Sequence, residues 1–188
     1  MKQRCAWVPD NNPLYTKYHD TEWGRVVKDD RVLFEFLVLE GAQAGLSWET
    51  VLGKREEYRK VFHNFSIEKV AKMSETEIQA ALHNPGIIRN RLKITSAVKN
   101  ARVVLTIQKE FNSFFNYFSY MLPDAPKKNH YAAISEVPSQ INASKDLSKD
   151  LKKRGCTFVG PTIMYAFMQA TGLVNDHTID CFCYKRKA

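Results

Sequence analysis

Apolar residues recur at three- and four-residue spacing over three long parts of the chain, residues 32–62, 67–82 and 91–111. This spacing places apolar side chains on one face of an α-helix. No run of alternating apolar and polar residues, the pattern of a half-buried β-strand, competes with these stretches. The pattern therefore predicts an all-α fold.

Capping and helix-breaking residues divide the periodic stretches. Ser66 precedes one of them, and Ser74 stands three positions before Glu77, which is the spacing of a capping box. Asn84, Pro85 and Gly86 then interrupt the helical pattern. We expect helices to begin after Ser66 and after Ser74, and a break at Asn84.

The domain organisation follows from length and local composition. The chain has 188 residues, 44% of them apolar, which suits one medium domain or two small lobes that share a core. Residues 111–120 are rich in phenylalanine and are most simply core, whereas residues 123–143 are rich in proline and polar residues and predict a connecting loop. We predict a single domain over residues 1–188, with a central helical lobe at about 30–122 and a C-terminal part that packs on the N-terminus.

The absence of long apolar runs bears on the compartment. No run reaches the roughly 18 to 20 residues of a membrane span, and the first ten residues lack the apolar stretch of a signal peptide. We expect a cytoplasmic protein that does not bind membranes. In a reducing compartment cysteines are more often thiols or metal ligands than disulfides. The cysteines are Cys5, Cys156, Cys181 and Cys183.

The net charge of +8 and the pI near 9.3 fit a polyanionic partner such as nucleic acid, but they also fit many enzymes that bind none. Basic residues are concentrated at 87–93 and 149–155. Both segments could also be ordinary solvated helix faces. Charge therefore leaves the nature of the partner open.

Histidine and cysteine residues near the two ends of the chain suggest a metal site. His177 and Cys181 are four positions apart, and Cys5 and His19 lie near the N-terminus. Two thiolates and two imidazoles from separate segments are a common tetrahedral zinc set. The alternative is ordinary buried thiols and surface histidines, because the spacing of the first pair is wider than in a zinc finger. His63, His83 and His130 lie on or near helix surfaces without such neighbours, and Cys156 and Cys183 are more simply buried apolar fillers, so we expect no ligands among these five residues.

Aromatic residues at irregular spacing form a second group. They are Trp7, Tyr15, Tyr18, Trp23 and Trp48. With Glu40 nearby, they predict a pocket for a flat heteroaromatic ligand, on which rings stack while a carboxylate accepts its N–H groups or faces its positive charge. The alternative is that the rings pack an N-terminal lobe and Glu40 lies at the surface.

Residues 151–172 have the features of two helices joined by a glycine turn. A helix is predicted to start near Thr162, after Gly160, and the turn amides with the helix N-terminus could hold a DNA phosphate without reading bases. Lys152, Lys153 and Arg154 would flank that phosphate. This pattern is common in helical proteins, so it is weak when taken alone.

Several distinctive motifs extend over nearly the whole chain, from residue 4 to residue 184: RCAWV, PLYTKYHDTEWG, LEGAQAGLSW, GIIRNRLKI, FVGPTIMYAFMQATGLVNDH and CFCY. On these motifs the chain resembles the bacterial 3-methyladenine DNA glycosylase I family, within the wider helix-hairpin-helix DNA glycosylases. The resemblance implies an all-α fold that binds DNA at the hairpin, with further contacts at Gly45 and Leu46.

The resemblance also implies a zinc site and a base pocket. One structural zinc per chain would be held by Cys5, His19, His177 and Cys181, and four protein ligands leave no open position for water. The base pocket would consist of Trp7, Tyr15, Tyr18, Trp23, Glu40 and Trp48.

The implied function is DNA repair. The enzyme would flip 3-methyladenine out of double-stranded alkylated DNA, hydrolyse its N-glycosidic bond and release the free base, acting as a monomer. The lysines lie in surface-like runs such as 149–155, so we expect no Schiff base and no strand cleavage.

One position departs from the wider superfamily. Many of its members place an aspartate shortly after the hairpin, where this chain has Asn175 with Asp176 beside it. Without that carboxylate the reaction depends on a base that leaves easily, and an adenine methylated at N3 is such a base. Glu40 is then the catalytic candidate, and we expect a narrow substrate range.

Two other classes of protein remain possible from the residues. A non-catalytic DNA-binding or damage-sensing protein would share the basic hairpin and the metal site, but it would not need Glu40 beside aromatic rings. A zinc-dependent hydrolase would need a zinc ion with an open position.

Overall fold

The computed structural model describes residues 2–184, and most of this part of the chain is helical, as predicted. Short 3₁₀ turns lie at His63–Phe65 and Ile134–Glu136, and the two-residue strands β1 (Lys127–Lys128) and β2 (Val174–Asn175) pair in parallel. The α-helices of the described residues are α1 Pro13–Thr21, α2 Asp30–Gln43, α3 Trp48–Leu52, α4 Arg55–Val61, α5 Ile67–Ala71, α6 Glu75–His83, α7 Arg91–Phe111, α8 Phe114–Met121, α9 Asn142–Lys153 and α10 Pro161–Ala170.

The predicted helix boundaries near the middle of the chain are confirmed. The Ser74 backbone N–H donates to the Glu77 carboxylate over 2.8 Å, and the Glu77 N–H donates to the Ser74 hydroxyl over 3.3 Å, so the capping box forms at α6. Asn84 follows the last residue of α6, where the break was expected. Ser66 precedes α5, although its side chain makes no capping bond.

The periodic stretch 32–62 contains three helices, α2, α3 and α4. Gly45 has a φ of +77°, which glycine adopts without strain, and it turns the chain after α2. Ser47 then caps α3, because its hydroxyl accepts a bond of 3.2 Å from the Thr50 N–H. All three helices bury apolar side chains in the same core, so the periodicity continues across the breaks.

Helix α2 lies at the centre of the fold. Residues 33–42 are all buried, and the helix packs against α7, α8 and α10. Its first residue, Asp30, accepts hydrogen bonds from the backbone N–H groups of Phe114 and Phe115 at 2.7 and 2.9 Å, which ties α2 to α8. Although α2 is apolar, no helix within residues 2–184 is long and apolar enough to cross a membrane.

The two ends of the described chain lie against each other. The Phe182 N–H donates to the Gln3 carbonyl over 2.9 Å. Gly172 has a φ of +70°, and a Cβ at this position would lie only 2.2 Å from the carbonyl carbon of Arg25. A side chain there would therefore separate the segment after α10 from the segment before α2.

The segment from α9 to α10 forms two helices joined by the turn 154–160. The buried Asn100 side chain holds this turn to α7, since it donates to the Thr157 carbonyl and accepts from the Thr157 N–H, both at 2.9 Å. On the other side, a Cβ at Gly41 would lie 3.3 Å from the Phe158 Cβ, so the turn packs closely on α2.

Candidate functional site

Two cysteines and two histidines meet where the chain ends come together. The ligand atoms of Cys5, His19, His177 and Cys181 lie within 4.8 Å of one another, and all four residues are buried. The Cys5 Sγ lies 3.4 Å from His177 Nδ1, and the Cys181 Sγ lies 3.5 Å from both His19 Nε2 and His177 Nδ1. Zinc bonds of about 2.0 to 2.3 Å in a tetrahedron separate the ligand atoms by about 3.3 to 3.8 Å, so the cluster fits such an ion.

The pKa values of the two cysteines and the hydrogen-bond partners of the two histidines also suit a metal site. The hydrogen bond between the two thiols lowers the pKa of Cys181 and raises that of Cys5, because the sulfurs share a proton. His19 places Nδ1 2.8 Å from the Asp20 carboxylate, and His177 places Nε2 3.2 Å from the Trp23 carbonyl. Both imidazoles thus have an oxygen partner at the nitrogen that faces away from the cluster, as metal-bound histidines usually do.

The other cysteines differ from each other. Cys156 is buried in the core, which raises its thiol pKa to about 12. Cys183, for which we expected no role, offers its sulfur within 4.8 Å of ligand atoms of His19 and Asp20. Cys183 therefore lies beside the four-residue cluster. Because Cys181 and Cys183 are only two positions apart, the sequence alone does not show which of the two belongs to the cluster.

The structure brings the predicted aromatic residues together around one cavity of about 370 Å³. The wall from the N-terminal half consists of Trp7, Tyr15, Tyr18, Trp23, Glu40, Gln43 and Trp48. Trp48 also has a buried indole N–H with no acceptor among the described residues. An aromatic cavity with a few polar groups is typical of a site for a flat ligand.

The aromatic wall rests directly on the cysteine–histidine cluster. The ring centroids of Trp7 and His19 are 5.1 Å apart, and those of Trp23 and His177 are 4.6 Å apart. Trp7 and Trp23 also contact each other at 4.9 Å in an edge-to-face arrangement. The positions of both indoles therefore depend on the two imidazoles.

Glu40 projects from α2 as a buried carboxylate, only 4% exposed. Within residues 2–184 no group hydrogen-bonds to it or forms an ion pair with it, and burial raises its pKa to about 8. A buried carboxylate without a partner is costly to ionise. A bound cation or N–H donor would supply the missing partner.

The candidate DNA contacts of the hairpin occupy different environments. Lys152 and Lys153 are exposed at the end of α9, and α10 begins at Pro161 after Gly160 with no side chain capping it. Thr162 is exposed and also lines the cavity.

Arg154, the third predicted basic contact, differs from the two lysines because its side chain is engaged within the protein. Its guanidinium donates to Asp150 and Glu110, each at 2.6 Å, and it stacks over the rings of Phe111 and Tyr117. The bond to Glu110 raises the pKa of Arg154 most strongly. These contacts join α9 to the end of α7, so Arg154 contributes to the scaffold.

Gly45 and Leu46 lie in the loop between α2 and α3, at the edge of the cavity. Gln43, the last residue of α2, and Trp48, the first residue of α3, both line the cavity. Leu46 is 41% exposed. The loop therefore presents an apolar side chain to solvent next to the cavity.

Comparison with known proteins places the chain in a family. Residues 7–184 match the family model for methyladenine glycosylase. The chain belongs to that family. It is 48% identical to DNA-3-methyladenine glycosylase 1 of Escherichia coli (strain K12) over 182 residues, which cover 97% of each protein.

Solved structures of methyladenine glycosylases have the same fold. A crystal structure of 3-methyladenine DNA glycosylase I is 49% identical, with a TM-score of 0.93 over 96% of this chain and 99% of that one. A tyrosine-to-phenylalanine variant of 3-methyladenine DNA glycosylase I in complex with 3-methyladenine is 35% identical, with a TM-score of 0.93 over 98% of both chains.

In this methyladenine glycosylase chain the cavity has a second wall that the sequence analysis missed. It comprises Thr162, Tyr165, Ala166 and Gln169 of α10 and Ile134, Val137, Pro138 and Ser139 of the preceding loop. The α10 residues have spacings of three and four and so share a helix face, which was a usable signal. The loop residues had no such pattern.

Asn175 and Asp176 lie behind this second wall. The Asp176 carboxylate is 1% exposed and accepts hydrogen bonds from Tyr165, Gln169 and Asn129 at 2.5, 2.8 and 2.7 Å. The Asn175 side chain accepts from the His177 backbone N–H. Asp176 thus holds two cavity residues in place, and neither it nor Asn175 lines the cavity.

Proposed function

We propose that this protein excises 3-methyladenine from alkylated DNA. The observation that carries the proposal is the buried, unpartnered carboxylate of Glu40 in an aromatic cavity of a methyladenine glycosylase chain. Relatives named DNA-3-methyladenine glycosylase support the activity, and a solved structure that holds 3-methyladenine supports the ligand.

The chemistry of the base suits the cavity. Adenine methylated at N3 is a cation while it is still attached to DNA, so its glycosidic bond breaks readily. Aromatic faces attract a flat cation, and a carboxylate accepts its N–H groups. Burial favours the protonated form of Glu40, whereas a cationic base favours the ionised form, so Glu40 distinguishes the damaged base from neutral adenine.

Water is the proposed nucleophile. When the bond between C1′ and the base nitrogen breaks, its electron pair leaves with the base, and water adds to C1′ and loses a proton. A strand-cleaving glycosylase would instead need an amine at the sugar. No lysine is among the described residues that line the cavity, which supports a monofunctional glycosylase.

The DNA would be bound around the mouth of the cavity. Glu40 is buried, so the base must leave the duplex stack to reach it. Leu46, on its exposed loop, would fill the space that the base vacates. Lys152 and Lys153, with the N-terminus of α10, would hold phosphates on double-stranded DNA without reading the sequence.

The metal would be a structural zinc ion, one per chain. Cys5, His19, His177 and Cys181 would hold it, and four protein ligands leave it no position for substrate or water. Its contribution is to join the chain ends behind the aromatic wall. This arrangement gives no support to a zinc-dependent hydrolase.

The activity can be tested by incubating the purified protein with methylated duplex DNA and identifying the released bases by chromatography. We expect release of 3-methyladenine without strand cleavage, and a large loss of that release in Glu40→Gln, which keeps the size of the side chain but removes its charge. Binding to undamaged DNA should be nearly unchanged in this variant, because Glu40 contacts the base and not the backbone.

Two results would contradict the proposal. Binding of methylated DNA without base release would indicate a damage sensor. A covalent protein–DNA adduct trapped by borohydride would indicate an amine nucleophile.

A further inference from the structure

Lys93, in the first turn of α7, has an unusual environment for a lysine. Its ammonium donates to the Ala42 carbonyl over 2.8 Å and to the Ala44 carbonyl over 2.7 Å. Within the described residues it forms no ion pair with a carboxylate, and burial lowers its pKa. Its partners are carbonyls at the C-terminal end of α2, which a helix leaves without intrahelical donors and which carry partial negative charge.

These two carbonyls lie on both sides of the point where α2 becomes a loop. Glu40 and Gln43, which line the cavity, precede this point, and Leu46 follows it. Two backbone bonds begin the loop, from the Ala44 N–H to the Gly41 carbonyl over 3.4 Å and from the Leu46 N–H to the Gln43 carbonyl over 2.6 Å, and both stay within the same segment. At its far end Ser47 is fixed as the cap of α3. The Lys93 ammonium adds a side-chain tie from a different helix, α7, to the near end of the loop.

We propose that Lys93 is a positioning residue for excision from duplex DNA. It holds the loop from Ala44 to Ser47 at the angle that lets Leu46 enter the duplex as the damaged base leaves. The inference rests on the proposed excision activity and adds a residue that touches neither the base nor the reacting atoms.

A direct phosphate contact is the competing explanation for a lysine near bound DNA. A lost phosphate contact weakens binding to all DNA and lowers the slope of log K against log salt concentration by about 0.9. Loss of a loop tie leaves that slope unchanged and slows excision from the duplex. The two roles therefore give different results with undamaged DNA.

The test is a double-mutant cycle with Lys93→Met, Leu46→Ala and the combined variant. If Lys93 acts through the loop, each single variant slows single-turnover release of 3-methyladenine from methylated duplex by at least about tenfold, since small displacements at a reacting site can cost about 100-fold. The combined variant should release the base no more slowly than the slower single variant, because both substitutions remove the same step, the insertion of the Leu46 side chain into the duplex. Affinity for free 3-methyladenine should stay within about twofold of the wild type, because the cavity residues are unchanged.

Controls separate the possible failures. Lys109→Met removes the same charge from an exposed position at the other end of α7 and should leave excision unchanged. If Lys93→Met does not fold, Lys93→Arg keeps a charged donor with altered reach and should give a smaller loss at an unchanged melting temperature. Multiplicative losses in the cycle, or a lower salt slope, would overturn the inference. A wild-type protein that releases no 3-methyladenine would instead overturn the proposed function.

Discussion

Glu35 and Glu40 are both buried on α2, little more than one helical turn apart, yet their environments are opposite. Glu35 accepts hydrogen bonds from Arg55 and Arg59 at 2.5 and 2.8 Å. Glu40 has no such partner in the described chain, so its burial is not offset until a ligand enters. This difference in pairing makes Glu35 part of the scaffold and Glu40 part of the site.

The raised pKa of Glu40 predicts a pH-dependent stability. The folded protein keeps the proton up to about pH 8, whereas the unfolded chain releases it above about 4.5. The contribution to the free energy of unfolding is therefore fully present below 4.5 and is lost as the pH rises to 8, by at most about 1.4 kcal/mol per pH unit. Glu40→Gln has no carboxyl group at this position and should not lose this stability. Urea denaturation should therefore show that the free energy of unfolding of the variant rises relative to that of the wild type between pH 4.5 and pH 8. Parallel curves for the two proteins would mean that Glu40 stays ionised in the fold.

The α9 to α10 hairpin connects the proposed DNA surface to the cavity. Its turn packs against α2 at Gly41, the residue after Glu40, and α10 supplies Tyr165 and Gln169 to the cavity wall. One element thus carries exposed lysines on its outer side and cavity residues on its inner side. The proposed binding of the DNA backbone and the proposed placement of the base would therefore share one structural element.

For this element we predict that Lys153→Ala weakens binding to every DNA sequence and lowers the salt slope by about 0.9, because it removes one phosphate contact. Lys145→Ala is the matched control, since Lys145 is exposed on α9 but lies about two helical turns before the connecting turn 154–160. Fluorescence anisotropy at several salt concentrations measures both. An equal effect of the two substitutions would point to net charge and away from a contact at the turn.

The chain as a whole is closed by the cysteine–histidine cluster. Cys5 and His19 come from the N-terminal segment, His177 and Cys181 from the C-terminal one, and the indoles of Trp7 and Trp23 rest on the two imidazoles. A metal that holds the cluster would therefore stabilise the fold and the cavity wall together.

We accordingly predict about one zinc ion per chain by metal analysis of protein purified without chelator. Cys181→Ser should lower the zinc content, the melting temperature and the affinity for free 3-methyladenine together, because the wall loses its support. Cys156→Ala, at a buried cysteine outside the cluster, should keep the zinc. Protein without zinc that still binds the base with full affinity would separate the cavity from the cluster.

Local features could be predicted because they depend on neighbours in the sequence. These features are the helical periodicity, the capping box of α6 and the span of α7 from Arg91 to Phe111. Each depends on residues that lie within a few turns of one helix. The types of residue at Cys5, His19, His177 and Cys181 likewise limit the chemistry before any fold is known. The loop after α2 was not predicted, because apolar periodicity persists across it.

Pairing between distant residues was decided only by the tertiary structure. The basic run 149–155 does not reveal that the Arg154 guanidinium donates to Glu110, which lies 44 positions earlier on α7. Lys93 looked like any lysine in a basic motif, and only the approach of α7 to the end of α2 gives its ammonium two carbonyl partners. Residue type determines what a side chain can bind, but burial and partners depend on which segments pack together, and those segments are far apart along the chain.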